Sequence, residues 1–539
     1  MNSGENYRNF IKKHKYIIII LIFALSLRIW GITHGLPIIH NPDEDIMQVA
    51  ATQLSFNDLN PGNFEHPSFM YYTGFIIHKF VYSTLNIDPT LKWEYILGRL
   101  LFGTLLGTLT VLFLYLSARL MYNETTALLA ALFMSVVPFH IMNSHFFYLD
   151  IPLTFFITVS LYFAVKAYKS NTSRYFFFSA IAAGFAAGTK YTGGAAIIIT
   201  LSALVAKNIK HGKGSINIKN CKSFLYILLF FCMAFIITTP MIVLDYNTFK
   251  ETGFLYQIDH VTKLFDGNTG VKGHAGFDLS PEGFPYSRFL FQIVAAFPYG
   301  LGIPLYVLSL FGLVYIIKKH EERDIIPLTF FCGFFIMISS LYVVFTRYYL
   351  PLFPFFVLFA SVLCADILIK ERYKKYKKAM MIIIVVTILY SLAMGISLTD
   401  NLIHNTREEA SQWVNENIPV GSNIVRSRYA PNIDPSKFNV YRIENLPKSF
   451  VPDFIIIDET MYARFYKEPE KHIKEKTGYV VYNAIREHKT NLNSEIIKTI
   501  KKKYFNEWIY KKLDPMFYPI FTSPDIEIYE IKKDKSITT

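Results

Sequence analysis

Residues 16–31 have the sequence YIIIILIFALSLRIWG, and four basic residues precede this run, Arg8, Lys12, Lys13 and Lys15. An apolar segment after basic residues is also typical of a secretory signal, but the run lacks a small-residue cleavage site and continues into a longer loop. It therefore predicts an uncleaved first transmembrane helix. Because Lys and Arg flank membrane helices on the cytoplasmic side, the N-terminus is expected in the cytoplasm.

The composition extends this interpretation to the whole chain. Of the 539 residues, 52% are hydrophobic and 17% aromatic while only 18% are charged, which is too apolar for an ordinary soluble multidomain protein. The net charge of +13 comes from short Lys and Arg clusters between apolar runs, a pattern of cytoplasmic loops rather than of nucleic-acid binding. All four cysteines lie in or beside apolar segments, so neither a disulfide framework nor a zinc site is predicted. The predicted fold class is a polytopic α-helical membrane protein.

The spans follow from their required length. A bilayer core about 30 Å thick needs roughly 20 apolar residues per helix, which divides the chain into about eleven spans. They are predicted at residues 16–31, 97–118, 126–142, 151–166, 175–189, 192–206, 223–243, 288–317, 325–344, 349–369 and 379–397. Pro298, Gly300, Gly302 and Pro304 predict a break within the eighth. With this alternation the Lys- and Arg-rich segments all fall on one side, which we assign to the cytoplasm.

Two long segments, residues 32–95 and 245–287, are predicted as loops on the opposite face. Within the first, residues 69–82 form a short apolar run interrupted by Gly74, His78 and Lys79. This favours an interfacial or re-entrant helix over a full span.

From residue 400 the composition becomes that of a soluble domain. Residues 406–415 have the apolar spacing of a helix that ends before Pro419 and Gly421. Residues 454–457 predict a fully buried strand, and residues 526–531 predict an alternating one. We therefore expect a transmembrane module at 1–399 and a small extracytoplasmic α/β domain at 400–539.

Acidic and basic residues from six chain regions fall at the outer ends of spans or in the outer loops. Ionisable groups near a bilayer are costly, so their shared depth favours a functional site. They are Asp43, Glu44, His66, Arg99, His145, Asp150, Lys190 and Arg347.

The carboxylates allow two interpretations. Asp43, Glu44 and Asp45 can cap the start of a helix, because acids favour a helix N-terminus, or they can take a proton from a sugar acceptor. Asp150 can likewise cap the helix that follows it, orient the acceptor, contact the sugar or hold a divalent cation. His140 and His145 stand near it, but their spacing is not that of a metal site.

The basic residues have a complementary role. Arg347 and Lys190, with Arg99 as a third candidate, can bind an anionic phosphate and stabilise the charge that grows on it as a glycosyl bond breaks. The alternative for each is a side chain at a helix end that extends to the interface.

Six short motifs occur in order on the predicted outer face. They are Asn-Pro-Asp-Glu at 41–44, His-Pro-x-x-x-Tyr-Tyr at 66–72, Leu-Gly-Arg-Leu at 97–100, Asp-x-Pro-Leu-Thr-Phe-Phe at 150–156, Gly-Thr-Lys-Tyr-Thr-Gly at 188–193 and Arg-Tyr-Tyr-Leu-Pro-Leu-Phe-Pro at 347–354. This set resembles the polyprenyl-phosphate-sugar-dependent glycosyltransferases of the C superfamily (GT-C). It is most similar to glycosyltransferase family thirty-nine, which includes protein O-mannosyltransferases and aminoarabinose transferases. The resemblance covers most of residues 16–397.

The resemblance implies roles for particular residues. It implies that Asp43 is the catalytic base with Glu44 beside it, that Asp150 is a second essential acid, and that Arg347 and Lys190 lie at the donor phosphate. His66, a further candidate for the phosphate, stands where aminoarabinose transferases have lysine, so a titratable group replaces a fixed charge.

The expected activity is inverting transfer of a sugar from a polyprenyl or dolichyl phosphate to a protein, lipid or glycan acceptor on the extracytoplasmic face. The sequence assigns no definite cofactor, and a divalent cation at Asp150 stays an open alternative. The sequence also lacks a Gly-rich nucleotide loop. Two rival interpretations are a transporter or lipid flippase, which predicts ionisable residues at mid-span, and a membrane-anchored binding module centred on the C-terminal domain.

Overall fold

The structure of the protein, a computed structural model, describes most of the chain. The described residues are 3–87, 92–170, 172–210, 218–258, 290, 292–340, 346–443, 446, 450–459, 461, 493–502, 504–506, 508–509 and 523–532. Residues 259–287 of the second predicted outer loop and 211–217 of a predicted basic loop lie outside this description.

The chain divides into two compact units. The first contains Met1–Ile32, Pro42–Asn268 and Arg288–Ile396, and the second contains Thr33–Asn41 together with Ser397–Thr539. Residues 33–41, a part of the first predicted outer loop, thus group with the C-terminal unit.

The described part of the first unit consists of helices joined by loops, one of which contains an isolated bridge between Ser55 and Asp58. Its helices, with the last continuing into the second unit, are α1 Ser3–Ile29, α2 Pro42–Thr52, α3 Phe69–Lys79, α4 Trp93–Met121, α5 Glu124–Ser135, α6 Pro138–Asn143, α7 Asp150–Lys169, α8 Arg174–Thr189, α9 Tyr191–Lys210, α10 Ile218–Thr238, α11 Met241–Leu244, α12 Tyr246–Phe249, α13 Gln292–Leu301, α14 Ile303–Lys319, α15 Ile325–Ser339, α16 Thr346–Ile369 and α17 Lys377–Ile403.

Five helices in the described ranges are long and apolar enough to cross a membrane. They are α4, α7, α9, α16 and the helical stretch Glu371–Asn417 that contains α17. The pair α13 and α14 passes the same test as one span bent by 117°. The bend falls at Gly302, so the break predicted within residues 288–317 is confirmed. The total of about eleven spans stays a prediction.

Local sequence explains where the site-bearing helices begin and end. Pro42 opens α2, where a missing N–H costs nothing, and Asp43, Glu44 and Asp45 occupy its first turn. Asp150 is the first residue of α7, where a carboxylate likewise favours the helix N-terminus. Helix α8 ends at Thr189, because Lys190 adopts an extended backbone (φ −153°, ψ 135°) before the tight turns that begin α9.

Small residues allow close helix packing beside these ends. A Cβ atom on Gly188 of α8 would lie 2.0 Å from the hydroxyl of Thr238 on α10. A larger residue at this position would force the two helices apart, so glycine sets how closely α8, and the lysine that follows it, can approach α10.

The second unit is an α/β domain. Helix α18, Thr406–Asn417, confirms the predicted helix and is two residues longer. The strands are β1 Asn423–Arg426, β2 Asn439–Arg442, β3 Phe454–Asp458, β4 Asn493–Ile500 and β5 Ile526–Lys532.

These strands form one sheet in the order β2-β1-β3-β5-β4, with parallel pairing around β1 and antiparallel pairing around β5. All five residues of β3 are buried, as predicted for residues 454–457. The alternation predicted for β5 is wrong over Ile526–Tyr529, where every residue is buried. Successive side chains of a strand point to opposite faces of the sheet, so four buried residues in a row show that both faces of β5 are covered in this part.

Candidate active site

Four charged side chains from four chain segments form a continuous series of ion pairs. Arg347 Nη1 lies 2.5 Å from Asp43 Oδ2, and Arg347 Nε lies 3.7 Å from Asp150 Oδ2. Asp150 Oδ1 in turn lies 3.0 Å from Lys190 Nζ. Opposite charges therefore alternate in the order Asp43, Arg347, Asp150 and Lys190, and the set carries no net charge.

Each member is supplied by the end of a helix. Asp43 and Asp150 lie in the first turns of α2 and α7, where a carboxylate is favoured by the exposed N–H groups and the helix dipole. Lys190 follows the last residue of α8, and Arg347 lies in the tight first turns of α16. The capping and catalytic interpretations of Asp43 and Asp150 are therefore compatible, because both place these acids in the first turns of α2 and α7.

Accessibility changes along the series. The side chain of Asp43 is 29% exposed and that of Arg347 is 14% exposed, whereas Asp150 is only 2% exposed. Asp43 is therefore the most accessible member, and Arg347 and Lys190 are about equally accessible, at 14% and 13%. Asp150 holds both cations from the buried side, which fixes Arg347 and Lys190 relative to each other.

Two tyrosines complete the lining of this charged series. Lys190 Nζ lies 4.0 Å from the ring centre of Tyr348, and the Arg347 guanidinium lies 5.2 Å from the ring centre of Tyr148. Such cation–ring contacts limit the freedom of the two cations without neutralising them. Sequence reasoning missed both tyrosines. Tyr348 adjoins Arg347 and Tyr148 is two residues from Asp150, and this adjacency was the available signal.

His66 borders the same set, with its ring centre 6.4 Å from that of Tyr148. Burial lowers the pKa of His66 to about 4, and the positive charges of Lys190 and Arg347 act in the same direction, while Glu65 and Asp43 oppose them. At neutral pH His66 is therefore uncharged, so it can hydrogen-bond a phosphate but cannot replace a fixed positive charge. Burial also lowers the pKa of Lys190, although nearby Asp150 opposes this shift.

Glu44 and Arg99 lie apart from this series as a buried pair. Arg99 donates two hydrogen bonds to the Glu44 carboxylate, each 2.8 Å long, and a third to the Ile32 carbonyl at 2.9 Å. The Phe147 N–H also donates to Glu44 Oε1 at 2.8 Å. Both carboxylate oxygens are thus engaged, and the two side chains are at most 2% exposed. This geometry favours a positioning role for the pair over the catalytic and phosphate-binding roles predicted for Glu44 and Arg99.

The two histidines near Asp150 have other partners. His140 Nδ1 lies 3.1 Å from Nη2 of the buried Arg28. The Arg28 guanidinium also donates from Nη2 to the Met134 carbonyl and from Nη1 to the Ser135 carbonyl, at the end of α5. The ring nitrogens of His145 contact the carbonyls of Ile141 and Trp30. Among the described residues, no three His, Cys, Asp or Glu side chains are grouped as a metal site requires.

The charged series is suited to chemistry at a phosphate group. Two cations fixed side by side can bind a phosphate and stabilise negative charge that develops on it. The most exposed carboxylate, Asp43, shares Arg347 with that position and can accept a proton from a second reactant.

Residues 95–243 match the family described as dolichyl-phosphate-mannose-protein mannosyltransferase. The matched segment contains Arg99, Asp150 and Lys190, whereas Asp43 and Arg347 lie outside it. No match to a curated protein sequence is found.

Two solved structures share the fold over almost the whole chain. The oligosaccharyltransferase AglB from Archaeoglobus fulgidus, in complex with an inhibitory peptide and a dolichol-phosphate, is 12% identical, with 97% of this chain and 89% of that chain covered and a TM-score of 0.51. ArnT from Cupriavidus metallidurans, bound to undecaprenyl phosphate, is also 12% identical, with 96% and 98% covered and a TM-score of 0.50. The predicted fold class is thereby confirmed. Together with the family match, this likeness supports assignment to the C superfamily that the motifs predicted.

Proposed function

We propose that the chain is an integral-membrane glycosyltransferase that takes a sugar from a polyprenyl or dolichyl monophosphate and transfers it, with inversion, to an acceptor outside the cytoplasm. The observation that carries this proposal is the series of ion pairs through Asp43, Arg347, Asp150 and Lys190. The family match, to a group described by its dolichyl-phosphate-mannose donor, supports the donor class. So does the fold shared with two proteins whose structures hold dolichol-phosphate or undecaprenyl phosphate.

The donor phosphate binds between Arg347 and Lys190 in this proposal. A phosphodiester carries one negative charge, and a second develops as the bond from the anomeric carbon to the phosphate oxygen breaks. The electron pair stays on that oxygen, where a guanidinium and an ammonium stabilise it more strongly than they stabilise the intact donor. The partial burial of both cations strengthens this effect, because the surrounding dielectric is low.

Asp43 takes the proton of the acceptor. The acceptor oxygen or nitrogen attacks the anomeric carbon opposite the departing phosphate, and its proton passes to the Asp43 carboxylate. Arg347 Nη1 lies 2.5 Å from this carboxylate, so the same guanidinium that contacts the phosphate in this proposal also holds Asp43 beside the reaction.

The remaining residues position this machinery. Asp150 holds both cations from the buried side, and the Glu44–Arg99 pair anchors the first turn of α2, on which Asp43 lies. His66, neutral at pH 7, is available as a hydrogen-bonding group beside the phosphate position.

The experiment that tests the proposal compares two neighbouring acids. Asp43→Asn removes the base, and we expect transfer of labelled sugar from lipid phosphate to acceptor in membranes to fall by about 10²–10⁴-fold. The control is Asp45→Asn, because Asp45 is exposed and accepts a hydrogen bond from the Tyr95 hydroxyl at 2.9 Å. An amide oxygen can accept the same bond, so Asp45→Asn is expected to transfer sugar at close to the parent rate. Parental transfer by a folded Asp43→Asn protein would overturn the base assignment.

A further inference from the structure

The second unit contains a cavity of about 380 Å³ between the segment 35–40 and helix α18. This is within the size range of small-molecule sites. Leu36, Pro37 and Ile38 supply an apolar side, and polar side chains of α18 supply the other. The segment 35–40 ends only three residues before Asp43 in sequence.

Helix α18 presents its polar face to this cavity. Five polar residues recur at spacings of three and four, which places them on one stripe of α18. They are Glu408, Ser411, Gln412, Asn415 and Glu416. On the other side of the same helix, Ala410 and Val414 are buried against the sheet. The apolar face therefore holds the helix in the domain, and the polar stripe is left to line the cavity.

Existing hydrogen bonds organise the stripe. Gln412 Nε2 donates to Glu416 Oε1 at 2.8 Å, and the Ser411 hydroxyl donates to the Asn432 carbonyl. His40 Nε2 lies 3.3 Å from Glu408 Oε1, which joins the two sides of the cavity. These contacts orient Gln412, Glu416, Ser411 and Glu408, and Asn415 adds an exposed amide between them.

The charges of the lining exclude an anionic ligand. Glu408 and Glu416 are acidic, and the only arginine of the lining, Arg407, is 4% exposed and donates to the Tyr429 carbonyl at 2.6 Å. A phosphate would meet two carboxylates, no accessible guanidinium, and one imidazole, His40, whose Nε2 lies 3.3 Å from Glu408 Oε1. A sugar fits better, because its hydroxyls donate and accept hydrogen bonds while its C–H face packs on apolar side chains.

We propose that this cavity binds an uncharged carbohydrate segment, with its hydroxyls on the polar stripe of α18 and its C–H face on Leu36, Pro37 and Ile38. The proposal that this cavity binds carbohydrate rests on the residues that line it. That the carbohydrate belongs to the acceptor, so that the enzyme extends or decorates a glycan, rests on the proposed function.

The test uses the 539-residue chain in nanodiscs and three neutral trisaccharides as probes, mannotriose, N,N′,N″-triacetylchitotriose and maltotriose, with affinities measured by calorimetry. At least one is expected to bind, and Asn415→Leu, which removes an amide from the polar stripe, is expected to weaken that binding at least about tenfold, equivalent to about 1.4 kcal/mol. The matched control is Asn417→Leu, two residues further along the same helix and outside the cavity lining, which should bind within about twofold of the parent.

Three outcomes would overturn the inference. They are binding of none of the trisaccharides, equal affinity in Asn415→Leu and the parent, and displacement of the bound trisaccharide by a neutral Ser- and Asn-rich hexapeptide. The peptide result would identify a protein-binding cleft. Asp43→Asn should bind the trisaccharide normally, so loss of transfer in that variant and loss of binding in Asn415→Leu report on separate claims.

Discussion

At the scale of single residues, two neighbouring acids have different environments. Asp43 is partly exposed and pairs with Arg347, whereas Glu44 is fully buried against Arg99. Successive residues of a helix point about 100° apart, and here the Asp43 carboxylate faces Arg347 while the Glu44 carboxylate faces Arg99. The sequence supports Asp43 as the leading acid. The structure adds that Asp43 and Glu44 have different partners and so different roles, a difference that the motif alone does not reveal.

The Glu44–Arg99 pair gives a prediction for stability. Glu44→Gln leaves the Arg99 guanidinium buried beside a neutral amide, and breaking a buried ion pair in this way costs about 3–5 kcal/mol. We expect a clearly lower melting temperature in detergent and a low yield of folded protein. Transfer per folded molecule should fall far less than in Asp43→Asn.

A paired replacement serves as the control. Glu44→Met combined with Arg99→Met leaves no uncompensated charge, so it should recover stability relative to either single change. If Glu44→Gln instead melted like the parent and transferred no sugar, Glu44 would belong to the catalytic chemistry.

At the scale of elements, the sequence predicted helices better than the connections between them. Apolar length placed the long helices, and the prolines and glycines of residues 288–317 predicted the break at Gly302. The extended turn at Lys190 and the tight turn at Arg347 have no comparable signal in composition. Their shape depends on contacts with other helices, which is why the motifs identified the residues but not the series of ion pairs.

The turn after α8 gives a prediction at this scale. The Ala186 carbonyl accepts the Lys190 N–H at 3.0 Å, and a Cβ atom on Gly193 would lie 2.2 Å from the same oxygen. Gly193→Ala must therefore displace the backbone that carries Lys190. Misplacing a catalytic group by about 1 Å can cost about 10²-fold in rate, and we expect a loss approaching this size in sugar transfer.

The adjacent glycine provides the comparison. A Cβ atom on Gly194 meets no heavy atom nearer than Phe231 Cζ at 3.9 Å, so Gly194→Ala should transfer sugar at close to the parent rate. Equal activity of Gly193→Ala and Gly194→Ala would show that the turn does not position Lys190 for the reaction.

At the scale of the whole molecule, one grouping could not be predicted from composition. Residues 33–41 belong to the first predicted outer loop in sequence, yet they cluster with the C-terminal unit, while Pro42 begins the helix of Asp43 in the first unit. Such an association depends on packing between segments more than 350 residues apart, as in the 3.3 Å contact of His40 with Glu408. We therefore propose a domain boundary that is discontinuous in sequence, in place of a single cut at residue 400.

The sidedness of the molecule is open to direct measurement. The proposed reaction requires the C-terminal domain outside the cytoplasm and the Lys-rich segment 370–378 inside, as the distribution of basic residues predicts. With the four native cysteines replaced by alanine, single cysteines are introduced at Val420 and at Lys374, positions whose side chains are both largely exposed, at 75% and 79%.

We expect a membrane-impermeant maleimide to label Val420→Cys in intact cells and to label Lys374→Cys only after permeabilisation. Because the two sites are about equally exposed, a difference in labelling reports sidedness and not accessibility. Labelling in the reverse order would place the C-terminal domain in the cytoplasm and exclude transfer to an extracytoplasmic acceptor.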